Sequence, residues 1–97
     1  LTEKILKSLH IDKAFLGTMG LSAEQGLSTT DVNEAYTKHL AASAADQVYV
    51  LADSSKLGTN QFVTCDPVSA VDYLITDKGI PQDMIKQLKK NKVEVIV

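Results

Sequence analysis

The sequence predicts an α/β protein, a three-layer α/β/α sandwich built on a mostly parallel sheet and forming part of a larger domain. Three observations predict it. Short apolar runs recur at Ala14–Leu16, Val48–Ala52, Tyr73–Ile75 and Val93–Val97. Helix-period segments begin at Asp31 and near Pro81 and fall between those runs, as crossover helices do. The runs are continuous rather than alternating, the mark of strands covered on both faces.

The elements follow in order. Thr2 to Leu9 places Ile5, Leu6 and Leu9 at helical spacing, with Thr2 as a candidate N-cap. Ala14-Phe15-Leu16 reads as a buried strand that leaves into the loop Gly17-Thr18-Met19-Gly20. Leu21 to Thr30, with Gly26 and several hydroxyls, reads as loop. From Asp31 the pattern is helical, with Val32, Ala35, Tyr36 and Leu40 on one face. Asp31 and Glu34 have capping-box spacing, and Glu34 and Lys38 are placed for an ion pair. The alanines from Ala41 to Ala45 permit close packing on a sheet.

Val48–Ala52 is the second strand. Leu57–Asn60 reads as a turn, and Gln61–Thr64 as a short antiparallel or edge strand that Pro67 breaks. Tyr73-Leu74-Ile75 is the third strand of the main sheet and ends on Thr76-Asp77. Gly79 makes a turn and Pro81 suits a first helical position. Met84, Ile85 and Leu88 form the apolar stripe of the helix that follows. Asp83 near its start and Lys86, Lys89 and Lys90 near its end complement its dipole. Val93–Val97 is the last strand.

Composition narrows the function. The 97 residues make one small domain at most, with 44% hydrophobic and 23% charged residues. A formal charge of −2 gives no basic footprint, which argues against direct nucleic-acid binding by these residues. The single cysteine, Cys65, has no partner for a disulfide or a metal site and suits a reducing cytoplasm. His10 and His39 lack ligand-spaced neighbours, so neither a metal nor a cofactor is expected. No apolar run approaches the roughly 20 residues of a membrane span. The chain opens on Leu1 inside a helix-patterned segment, and we expect it to be a fragment of a longer protein.

Chemistry is expected at the carboxyl ends of the strands, where open parallel sheets collect ligands. Gly17-Thr18 and Asp53-Ser54-Ser55-Lys56 reach the same edge if their strands are parallel, and Thr76-Asp77 ends a third strand. Lys56 suits a phosphate or carboxylate. Asp53 suits sugar hydroxyls, or holds Lys56 in place. Ser54 and Ser55 can donate to phosphate oxygens. The plain alternative is a turn, because Asp and Ser bond their own backbone where a strand becomes a loop. Gly17, Thr18 and Gly20 form no complete nucleotide fingerprint, so a tight turn and a close approach to a ligand both remain open. Glu34 and Lys38 are second-choice ligand residues; as a plain surface pair they contribute roughly 0.3–0.5 kcal/mol. Ser28-Thr29-Thr30 can greet an anion or simply cap the helix. Cys65 has no nucleophile arrangement around it.

An ordered set of segments resembles a known family. Asp12-Lys13-Ala14-Phe15-Leu16-Gly17, Gly20-Leu21-Ser22, Gly26-Leu27-Ser28-Thr29, Glu34-Ala35, Leu51-Ala52-Asp53-Ser54-Ser55-Lys56 and Leu74-Ile75-Thr76-Asp77 resemble the C-terminal sensor domain of DeoR-family transcriptional repressors. The resemblance implies a fold shared with ribose-5-phosphate isomerase and CoA transferases, and a sensor for a phosphorylated sugar or related metabolite. It also implies a cytoplasmic homo-oligomer that meets DNA only through an N-terminal winged helix-turn-helix. That domain, and the first part of the sensor with its phosphate loop, lie outside residues 1–97. The ligand residues it implies are Gly17, Thr18, Gly20, Asp53, Ser54, Ser55 and Lys56, with Glu34 and Lys38 after them.

The alternative is a fragment of a sugar-phosphate isomerase. The isomerase pattern has a Glu-Lys pair on a helix, but Ala35 follows Glu34 here. It also has an acidic run where this chain has Leu16-Gly17-Thr18-Met19. General acid–base catalysis needs a placed base, so binding without turnover is expected. A third reading is an oligomerisation module whose polar strand ends are turns.

Overall fold

The computed structural model describes residues 4, 5 and 8–97. Four parallel strands form the main sheet in the order β1 (Ile11–Gly17), β4 (Ala45–Leu51), β6 (Tyr73–Ile75) and β7 (Glu94–Ile96). A second sheet is antiparallel, in the order β2 (Gly20–Ser22), β3 (Gly26–Thr29) and β5 (Val63–Asp66). Helix α1 (Val32–Ala44) joins β3 to β4, and α2 (Gln82–Lys90) joins β6 to β7. The expected α/β sandwich on a mostly parallel sheet is the fold observed.

Each strand of the main sheet is the neighbour of the one before it, so every crossover steps in the same direction. Right-handed crossovers then lay their connections on one face. Burial agrees: Val48, Val50 and Leu74 share one core cluster with Ala42 of α1 and Leu88 of α2. Ala14 is buried on the same side of the pleat, and Leu16 and Val95 are partly so. The opposite side differs from expectation. Phe15 is 59% exposed and Leu51 and Ile96 are largely exposed, so the strands are not covered on both faces by the described residues. A continuous apolar run marks strand faces that need covering, whether or not the same segment supplies the cover.

Leu21–Thr30 is not the expected loop. Leu21 pairs with Leu27 in a tight hairpin, both leucines are buried, and Gly26 turns the chain at φ +78°. A Cβ at Gly26 would lie 2.1 Å from the Asp66 carbonyl oxygen, so glycine is required twice over. Each strand carries a single leucine between glycine and serine, which hides the pattern from a periodicity reading. The Gln61–Thr64 strand is antiparallel at the edge of the small sheet, as expected, but runs Val63–Asp66.

Helix α1 is capped by Asp31, whose Oδ1 accepts from the backbone N–H of Asn33 at 2.8 Å and of Glu34 at 3.4 Å. The buried face differs from the expected stripe. Ala35 and Ala42 are buried while Val32 and Tyr36 are largely exposed. Small side chains let the helix approach β5 closely, and the bulkier flank is left at the rim. In α2 the stripe holds: Leu88 is buried, with Met84 and Ile85 packed on the core. The expected N-cap Thr2 and stripe residue Leu6 lie outside the described residues; Ile5 and Leu9 are half exposed.

Candidate functional site

Parallel pairing of β1 with β4 sets Gly17 opposite Leu51, so Gly17-Thr18 and Asp53–Lys56 leave the sheet at the same edge. Parallel pairing of β4 with β6 sets Leu51 opposite Ile75, which brings Thr76-Asp77 to that edge as well. All three strand ends therefore converge.

Ser54–Lys56 forms a single 3-10 turn capped by Asp53. Oδ1 of Asp53 accepts from the Ser55 backbone N–H at 2.9 Å and from the Ser55 hydroxyl. These two bonds, the hydroxyl first, hold the Asp53 carboxyl below its ordinary pKa of 3.8. Asp77 reaches across from β6. Its Oδ2 accepts from Ser54 N–H at 2.9 Å and its Oδ1 from Gly79 N–H at 2.8 Å, and both donors lower its pKa. Gly79 leaves room for this, since a Cβ there would meet Ser54 Oγ at 2.6 Å. Both carboxylates are thus ionised and engaged with backbone donors. Lys56 is partly exposed, and its ammonium makes no hydrogen bond or ion pair among the described residues. Thr76 Oγ1, at the same edge, is buried without a partner among the described residues.

The glycine loop closes the other side. Gly17 has open space where a Cβ would be. The Thr18 hydroxyl lies 2.8 Å from Gly20 O and 3.2 Å from Ser28 O, so it braces the start of the hairpin. At Gly20 a Cβ would sit 2.8 Å from Thr59 O and 2.9 Å from Ser28 Oγ. That glycine lets the hairpin pack on the loop after Lys56. Gly58 N–H donates to Leu21 O at 2.6 Å and Ser22 Oγ to Asn60 Oδ1 at 2.6 Å, which pins the same loop. Asp77, Thr59 and Asn60 therefore organise the edge. Asp77 was visible in the sequence as a strand end; the other two carry no sequence signal.

Glu34 and Lys38 form a pair of their own. Lys38 Nζ lies 2.9 Å from Glu34 Oε1, and the lysine side chain is only 16% exposed. Both charges act on Cys65, which places the pair over β5. No hydrogen bond or ion pair links them to the Lys56 turn among the described residues. Burial raises the Cys65 thiol pKa, which Lys38 opposes. Beside it His39 Nδ1 lies 2.7 Å from Asp66 Oδ1. Val32, Ala35, Tyr36, His39, Val63, Thr64 and Cys65 line a groove of about 290 Å³ between α1 and β5. At the opposite end of the sheet, His10 Nε2 meets Asp46 Oδ2 at 2.9 Å with Asp12 close by, all exposed.

Residues 1–78 match the family described as the DeoR C-terminal sensor domain. The chain is 37% identical over 92 residues to the HTH-type transcriptional repressor GlcR of Bacillus subtilis, covering 95% of this chain and 35% of that protein. It is 34% identical over 94 residues to the HTH-type transcriptional regulator GlpR of Haloferax volcanii, covering 97% and 37%. It is 33% identical over 90 residues to the lactose phosphotransferase system repressor of Streptococcus mutans, covering 93% and 35%. The chain thus spans little more than a third of these relatives. They are named as regulators and repressors, and the position where an isomerase would carry lysine is the buried Ala35. These relatives are named as regulators and not as enzymes.

Proposed function

Because the chain belongs to the DeoR family, as its C-terminal sensor domain, we propose that it senses a phosphorylated sugar or related metabolite at the strand-end edge. The observation that carries this is the state of Lys56. Its neighbours' carboxylates are occupied by backbone N–H groups, while its ammonium stands unpaired on a braced turn. A cation on a braced turn, with no hydrogen bond or ion pair among the described residues and only its field acting on Asp53, suits a phosphate. The second oxygen of Asp53 and the buried Thr76 hydroxyl would take sugar hydroxyls, with Gly17 giving backbone access. Ser54, Ser55 and Thr18 shape the edge. Glu34 and Lys38 stay second choices, since they are committed to each other. One relative is named a lactose phosphotransferase system repressor, which supports a sugar-linked signal.

In the full-length protein, a cytoplasmic homo-oligomer, a DNA-binding domain outside residues 1–97 would read the operator. Among the described residues no helix is long and apolar enough to cross a membrane. Effector binding changes operator binding only if the effector prefers one association state, and the linkage is reciprocal. The test is titration of sugar phosphates into the full-length protein and its Lys56→Ala variant by calorimetry. Binding that weakens sharply in the variant is the expected result. Equal affinity in both would remove Lys56 from the site.

A further inference from the structure

At the end of the main sheet opposite the strand-end edge, three side chains offer ligand atoms to one point. His10 immediately precedes β1, Asp12 lies on it, and Asp46 lies at the start of β4. Ile11 is opposite Ala45 and Lys13 opposite Gln47, so Asp12 and Asp46 stand side by side in the parallel register. His10 Nε2 is 3.7 Å from Asp12 Oδ1 and 2.9 Å from Asp46 Oδ2, and the three side chains are 69%, 93% and 61% exposed. All three ligand atoms lie within 4.8 Å of one another, the one such group of three among the described residues. Asp46 is 36 residues from His10, so no spacing in the sequence announces the group.

The charges at this point do not balance. Carboxylates opposite each other on neighbouring strands repel. Helix α1 ends at Ala44 with no basic residue in its last turn, so the negative end of its dipole adds to Asp46 two residues on. Among the described residues both acids pair only with His10, which offsets them only when it is protonated. A divalent cation supplies the missing charge, and the donor set selects its kind. One imidazole nitrogen with two carboxylates suits a borderline ion such as zinc, whereas magnesium and calcium favour oxygen donors alone. With zinc bonds of about 2.0–2.2 Å, ligand atoms in a tetrahedral site are about 3.3–3.6 Å apart. The 2.9 and 3.7 Å separations from His10 straddle that range, and small rotations of exposed side chains complete the site.

We propose that His10, Asp12 and Asp46 form a surface site for one divalent ion of the zinc class, with water completing its coordination. The ion takes the lone pair of His10 Nε2, so any proton on that nitrogen leaves to solvent and the contact with Asp46 is exchanged for two metal bonds. The bound ion neutralises both acids and ties the starts of β1 and β4 together. The site lies at the far end of the sheet from Lys56 and stands whatever the strand-end edge binds.

Calorimetric titration of zinc chloride into the metal-free full-length protein tests it, beside His10→Gln and Asp46→Asn. Zinc sites elsewhere in the protein are common to all three and cancel in the comparison. One equivalent per chain is expected to bind the wild type at least about tenfold more tightly than either variant, since groups that merely hold a metal ligand in place are already worth that much. Equal zinc uptake in the wild type and both variants would overturn the proposal. Magnesium that displaces this equivalent at equal concentration would overturn it too, because an imidazole ligand does not suit that ion. A second readout needs no variant: the ring signals of His10 in the NMR spectrum of the wild type are expected to shift in step with that equivalent. Ring signals that stay in place as it binds would sink the assignment.

Discussion

The carboxylate of Asp77 accepts the backbone N–H of Ser54 at 2.9 Å, so the end of β6 holds the turn that carries Lys56. The bond crosses from one strand end to the next, and Asp77 fastens Gly79 with its other oxygen. Asp77→Ala frees both donors and lets the turn move. Effector affinity is expected to fall about tenfold although Asp77 is not assigned to the ligand, because misplaced binding groups lose affinity steeply. Titration of the variant beside Lys56→Ala measures it; unchanged affinity would show that the turn holds its shape without Asp77.

The same two carboxylates set a pH dependence. Asp53 and Asp77 both have depressed pKa values in the fold, so their stabilising effect is complete above 3.8 and lost as pH falls through the folded values. The turn is therefore expected to stay ordered at pH 5 and loosen only in stronger acid. The amide signals of Ser54 and Ser55 in an NMR titration are expected to move with midpoints below 3.8. Midpoints at or above that value would contradict the hydrogen-bonded geometry.

Gly26 tests the hairpin. Any side chain there meets Asp66 O at 2.1 Å and Pro67 C at 2.7 Å, on a backbone with positive φ. Gly26→Val combines strain and overlap and is expected to destabilise by more than about 3 kcal/mol, or to abolish folding. Denaturant unfolding measures it, with Phe62→Ser as a surface control expected to stay within about 0.5 kcal/mol of wild type.

His39 and Asp66 form a pair of unequal burial. Asp66 is 5% exposed, its Oδ1 meets His39 Nδ1, and its Oδ2 is buried without a partner among the described residues. His39→Ala leaves the acid without that contact and is expected to cost about 1–3 kcal/mol in chemical denaturation. A loss below about 0.5 kcal/mol would mean that water replaces the imidazole at no cost.

Cys65 is expected to alkylate more slowly at pH 7.5 than a free thiol. Burial raises its pKa above the ordinary 9.0, and only the thiolate reacts. Lys38 opposes that shift, so Lys38→Met is expected to slow the reaction further. A rate matching that of glutathione in the native protein would refute the burial argument.

Much of the fold was legible because it rests on local signals. The apolar runs of Val48–Val50 and Tyr73–Ile75, the Asp31 cap and the Met84-Ile85-Leu88 stripe each reflect a preference that neighbouring residues express by themselves. The β2–β3 hairpin was illegible because its stability comes from packing at distance: Leu21 and Leu27 are buried against residues as remote as Val68 and Val71. The buried face of α1 was misread for a related reason. Which flank of a helix is covered depends on where β5 lies, and small alanines admit the strand where Val32 and Tyr36 cannot.

By itself, the sequence determined that this chain alternates strands with helices, that polar strand ends collect Gly17, Asp53 and Lys56, and that the family is one of regulators. Those are properties of short segments and their order. Only the tertiary structure decided that Asp53 caps its own turn, that Asp77 ties that turn down, that Glu34 and Lys38 face Cys65, and that Phe15, Tyr49 and Tyr73 stack on an open face. Each of these depends on which strands become neighbours. Strand pairing is set by the summed burial of the whole core, not by any one segment.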